Sequence, residues 1–157
     1  MKMGYSKIGG NIMNETNELL EEVYKTAAMG RFSMMKLIEA LKEKDNKIKG
    51  YLEELLEDYR NYEDQSKELL LKENIEPMEE NAISKLMASM GIQKEVKGDN
   101  SDAAMAEMLI QGISMGSIEI EKQIKNYKDH VDKDDMKLAK KFLKFQEKAI
   151  EELKKYL

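Results

Sequence analysis

The segment Ile110–Ile124, IQGISMGSIEIEKQI, is the stretch on which the fold turns. Its apolar residues recur at helical spacing, yet Gly112 and Gly116 stand four apart, and Glu119 falls in line with apolar neighbours. A glycine inside a helix costs about 1 kcal/mol relative to alanine. Two of them on one face make sense where a second backbone has to come close. A counterpart lies upstream. AAMGRFSMMKLI (Ala27–Ile38) aligns without a gap on ISMGSIEIEKQI (Ile113–Ile124), pairing Met29–Gly30 with Met115–Gly116, Lys36 with Lys122 and Ile38 with Ile124. Part of that match is shared periodicity. Two helical hairpins related by pseudo-twofold symmetry account for all of it.

Working outward, the first long helix is expected from Asn14 or Thr16 to Lys42, with the stripe Leu20, Val23, Ala27, Gly30, Met34, Leu37 and Leu41 in steps of three and four. KDNK breaks it, and Asp45 or Asn46 is the expected cap of a second helix reaching about Lys72. That helix carries Ile48, Leu52, Leu55, Tyr59, Tyr62, Ser66 and Leu69 on one face. The short connection predicts antiparallel neighbours. Residues 73–100 contain the only proline, Pro77, and read as a long crossover. A short helix within it is expected to stop at Gly91 and to pack through Ile83, Leu86, Met87 and Met90. A third long helix follows from Ser101 to Tyr127 or His130. A fourth begins after Asp132, with Ala139, Phe142, Leu143, Gln146, Ile150, Leu153 and Leu157 inward. Two hairpins joined by a long crossover predict an all-α, up-down-down-up four-helix bundle as a single domain over residues 14–157, with an up-down-up-down bundle as the alternative. Residues 1–13 read as a flexible arm.

Composition narrows the function. The chain has 157 residues and a formal charge of −5, with lysine and glutamate interleaved throughout. No basic stripe suited to a phosphate backbone appears, so nucleic acid is not an expected partner. Cysteine is absent, which removes disulfides, thiolate chemistry and cysteine zinc sites. No apolar run approaches the roughly 20 residues that span a bilayer, and the start of the chain has too weak an apolar centre for a signal peptide. These features predict a cytoplasmic protein with no membrane partner. The NET triplet at Asn14 is then a chance glycosylation sequon.

The architecture resembles the ferritin-like superfamily of four-helix bundles. The blocks AAMGRFSMMKLIEAL, SKLMASMGI and AEMLIQGISMGSIEIEKQI are also similar to small, uncharacterised acidic proteins of low-GC Gram-positive bacteria. The resemblance covers roughly Asn14 to Leu157 and implies a fold but no activity. Where it meets the ferritin-like metal pattern, the chain departs from it. A di-iron site of that kind needs a glutamate from each of two helices and Glu-x-x-His from each of the other two. The single histidine, His130, has Tyr127 three residues before it, and the first helix has no mid-stripe carboxylate. No metal or other cofactor is therefore expected.

The polar residues on core faces are the candidate site. At about 100° per residue, Glu119 falls inside the arc of Met105, Met108, Leu109, Gly112, Met115, Gly116 and Ile120. A carboxylate buried there needs a partner, and Arg31, between Tyr24, Met35 and Ile38, is the candidate. Tyr59, Tyr62, Ser66, Gln123 and Gln146 add hydroxyl and amide groups. The expectation is an ion pair that sets helix register, with a ligand site built from Glu119, Arg31, Tyr59, Tyr62 and Gln146 as the functional alternative. The methionines read as core filler. Met29, Phe32, Ile110 and Ile118 point away from their stripes and need a cover, either the crossover helix or a second subunit; a homodimer is the expected form. Two classes of function follow. One is a non-enzymatic structural or interaction protein. The other is a bundle that handles a small ligand or a metal at a polar mid-core site.

Overall fold

The computed structural model describes residues 6–8, 11–13, 15–79, 82–128 and 131–157. Asn14, His130 and part of the N-terminal arm lie outside the described residues. Apart from an antiparallel hairpin of β1 (Ser6–Ile8) and β2 (Asn11–Met13), the regular elements are α-helical. They are α1 (Glu15–Ala40), α2 (Lys49–Lys72), α3 (Ala82–Gly98), α4 (Asp102–Tyr127) and α5 (Lys133–Leu153), with a final 3-10 turn at Lys154–Tyr156. No helix among the described residues is long and apolar enough to cross a membrane.

α1 follows its stripe closely. Leu20, Val23, Ala27, Met34, Leu37 and Leu41 are all buried. α2 buries Leu52, Leu55, Tyr59, Ser66 and Leu70, and the Ser66 hydroxyl donates within its own helix to the Tyr62 carbonyl at 2.7 Å. α2 stops at Asn74, which takes φ 61° and lets the amide of buried Ile75 reach back to the Leu70 carbonyl at 3.0 Å. A short polar side chain tolerates that left-handed conformation better than most.

Side-chain contacts set the direction of each helix. Asn46, before α2, donates to the Asp102 carboxylate at 2.9 Å and to the Asn100 carbonyl at 2.7 Å, so α2 and α4 begin at the same end. Tyr127, at the end of α4, donates to Glu18 near the start of α1 at 2.9 Å. The rings of Tyr51 and Tyr156 stack at 6.3 Å, joining the start of α2 to the C-terminal end of α5. α1 and α5 therefore run one way, and α2 and α4 the other. The hairpins α1/α2 and α4/α5 pack together through α1 against α4 and α2 against α5.

Five expectations are corrected. The start of α2 is not capped by Asp45 or Asn46. The Asp102 carboxylate of α4 accepts instead from the Lys47 amide at 3.1 Å and the Ile48 amide at 3.4 Å. The crossover helix does not stop at Gly91 but runs to Gly98, because a helix interior tolerates one glycine and the following IQKEVK favours helix. It also presents the opposite face. Ile92 and Val96 are buried, whereas Ile83 is 71% exposed and Met87 68%, with Leu86 and Met90 similarly exposed. α3 is apolar on two sides, so spacing alone could not say which side packs. In α4 the buried stripe is Met105, Ala106, Leu109, Ile113, Ile120 and Ile124, and Met115 is 74% exposed. The isoleucines take the core, and the expected arc is displaced by about one residue. Leu157, expected inward on the last helix, is exposed.

Candidate functional site

That displacement separates the expected residues. Glu119 is exposed. Arg31 pairs across the α1/α2 hairpin with Glu63, Nε to Oε1 at 2.7 Å and Nη2 to Oε2 at 3.2 Å. The expected pair with Glu119 is not formed: the ion pair joins α1 to α2 and not α1 to α4. Tyr62 is half-buried and donates to the Lys141 carbonyl at 3.3 Å. Its ring meets Phe142 and Phe145 in a cluster that Tyr59 completes, with Tyr59 and Phe145 edge to face at 5.0 Å. Tyr59 and Gln146 are brought together, on the wall of a cavity.

The cavity lies where α1, α3 and α4 meet and has a volume of about 420 Å³. α1 contributes Thr26, Met29, Gly30, Ser33, Met34 and Leu37, α3 contributes Ala88 and Ile92, and α4 contributes Met108, Leu109, Gly112, Ile113 and Gly116. Tyr59 from α2 and Gln146 from α5 reach it from behind. Gly112 and Lys25, both exposed, mark its open side. Glu22 is the one carboxylate in the lining, and it is half-buried.

The paired glycines explain how Tyr59 and Gln146 get there. A Cβ on residue 30 would overlap the Tyr59 ring, and a Cβ on residue 116 would stand 3.0 Å from Gln146 Nε2 and 3.2 Å from the Thr26 methyl. Gly30 receives a side chain from α2, and its repeat partner Gly116 receives one from α5. Each hairpin thus uses its Met-Gly pair to admit a large polar side chain from its own second helix. Gly112 meets nothing within 4 Å and leaves open space on the cavity wall.

The electrostatics differ between the two polar groups. Burial pushes the Tyr59 hydroxyl well above its ordinary range, so it stays protonated. Gln146 has no exposure, and neither its Oε1 nor its Nε2 has a hydrogen-bond partner within the protein. Burying an amide without a partner costs about 1–3 kcal/mol on the scale of mutational data. That cost falls at the wall of the cavity.

Two buried acids escaped the sequence reading. Glu21 accepts from the Met78 amide at 3.0 Å, and burial raises its pKa. Asp135 is 3% exposed, and its carboxylate oxygen lies within 4.8 Å of those of Glu73 and Asp132. Burial first, then the charge of Glu73, pushes its pKa up to about 7. A signal for Asp135 was present: it sits four residues before Ala139 on the α5 core stripe. Its place in the first turn, where acids are usual, masked it. Such a carboxylate group could approach a cation, but acids cluster at helix ends without one.

Comparison with known proteins returns no match: no family model, no curated protein and no solved structure is significantly similar to this chain.

Proposed function

We propose that this protein is a ferritin-like four-helix bundle of the cytoplasm that binds, without chemistry, a small and mainly apolar molecule between its first and third long helices. Two antiparallel hairpins, a crossover helix and parallel α2 and α4 support the ferritin-like class. The observation that carries the binding function is the cavity itself. About 420 Å³ falls within the roughly 300–1,000 Å³ of small-molecule sites, and an apolar wall with a few fixed polar groups is their usual lining. Among the described residues, the polar groups that line it are mainly hydroxyls and an amide, which suit recognition better than bond breaking. Of the two classes read from the sequence, the geometry favours the ligand-handling one.

The test is binding of a polarity-sensitive apolar dye, with Gly112→Leu as the blocking variant. Gly112 lines the cavity, and a Cβ there meets no other atom within 4 Å, so the added side chain has room beside the bound molecule's place. The dye should bind the native protein with one-to-one stoichiometry and bind the variant at least tenfold more weakly. No saturable binding, or equal binding to the variant, would sink the proposal.

A second reading concerns assembly. The outward residues Ile83, Leu86, Met87 and Met90 of α3 and Met115 and Ile118 of α4 form more exposed apolar surface than a helix face needs for solubility. They support the homodimer expected from sequence.

A further inference from the structure

The geometry points to the kind of head group the cavity selects, an inference that rests on the binding function proposed above. We infer that the ligand is neutral and carries a carboxamide-type group, with a hydrogen-bond acceptor and a donor on neighbouring atoms, which docks against the side chain of Gln146.

Three observations lead there. The first is the state of Gln146. It is fully buried on α5, and both its Oε1 and its Nε2 are without a partner in the protein. A glutamine amide offers one acceptor and two donors on adjacent atoms. Its complement is a group with the reverse pattern on one edge, such as a primary amide, a lactam or a protonated carboxylic acid. An ester or an ether supplies acceptors only and would leave Oε1 unmatched.

The second is position. The missing Cβ of Gly116 lets Nε2 lie close against α4, at a position the Thr26 methyl also approaches. The amide is held at the wall of the cavity by packing, so it is ordered before a ligand arrives. Fixed polar groups select more strongly than flexible ones, because less ordering is needed on binding.

The third is charge. Among the described residues, the ionisable groups of the lining apart from Tyr59 are Glu22 and Lys25, and Lys25 is exposed. A carboxylate or ammonium docked on the neutral amide of Gln146 would lose hydration that the amide replaces only in part, so a charged head group is disfavoured. A site built to hydrogen-bond a group rejects analogues lacking it, because its own buried atoms are then left unmatched.

The experiment is displacement of the bound dye by octanamide, by methyl octanoate and by sodium octanoate at neutral pH, on the full chain. Octanamide should compete at concentrations at least tenfold lower than either of the others. In Gln146→Leu and Gln146→Met the ratio of octanamide to methyl octanoate competition should fall to about one, a ratio read independently of each variant's own affinity for the dye. In the native protein, octanamide should shift the side-chain NH₂ resonances of Gln146 in a ¹⁵N-edited spectrum, a readout that needs no variant. Dye binding with equal competition by all three compounds, or with Gln146 resonances unmoved, would overturn the head-group inference and leave the cavity function standing. Absence of dye binding would overturn both.

Discussion

Gly30 and Gly112 are both helical glycines on the wall of one cavity, and they should respond oppositely to the same substitution. At Gly30 a methyl group would meet the ring of buried Tyr59, which is itself wedged against Phe142 and Phe145. Gly30→Ala should destabilise by about 1–3 kcal/mol, the range of overpacked cores. At Gly112 a methyl group meets nothing. Gly112→Ala should stabilise by about 0.5–1 kcal/mol through helix propensity. Urea denaturation of the two variants checks the sign of each. Asp135 provides a pH test. Its folded pKa of about 7 is raised above its ordinary value, so the folded state holds the extra proton between about pH 4 and 7. Its contribution to stability is therefore fully present below that window and is lost as pH rises through it. Asp135→Asn should melt higher than the native protein at pH 8, with the difference shrinking towards pH 4. Thermal melts across that range measure it, and a pH-independent difference would contradict a titrating Asp135.

At the scale of elements, two polar contacts hold helices in place. The Arg31–Glu63 pair joins α1 to α2 with a two-point geometry that an isolated surface pair lacks. Both side chains are partly shielded, at 30% and 13% exposure, so Glu63→Gln should cost about 1–2 kcal/mol, between the values for exposed and buried pairs. The effect should weaken in high salt. Asp102 does more than begin α4. It takes the backbone amides at the start of α2 and the side chain of Asn46, coupling the two hairpins. Asp102→Ala should lower stability by about 1–2 kcal/mol, comparable to the loss of a strong helix cap. Hydrogen exchange at Lys47 and Ile48 should rise with it. Removing the cap of α4 itself, Ser101, which accepts from the Ala104 amide at 3.1 Å, should leave those two amides protected.

At the scale of the whole molecule, the exposed outer face of α3 is where assembly can be tested. If the exposed Ile83–Met90 stripe seats a second copy, Leu86→Glu or Met87→Glu should convert a dimer to a monomer by light scattering without lowering helix content. A native protein that is monomeric at high concentration would remove the dimer. The cavity sits on the inner face of the same helix, so its ligand-binding behaviour can be followed in the monomeric variant. Much of the fold was legible in the chain. The stripes of α1 and α2 were read largely correctly, with Leu70 buried in place of the expected Leu69, because their strongly charged polar faces leave one main face to bury. α3 and α4 were harder, since each has apolar residues on two sides.

The same division runs through the site. By itself the sequence determined that the chain is all-α and where its long helices fall. Local propensity and periodicity act within one helix and suffice for that. The tertiary structure decided which isoleucines of α4 turn inward, that Arg31 meets Glu63 and not Glu119, and that Tyr59 and Gln146 share a cavity while Tyr62 does not. Those outcomes depend on the rotation of one helix against another. A shift of one residue turns a helix by about 100°, and only the packing of all five helices together fixes that angle.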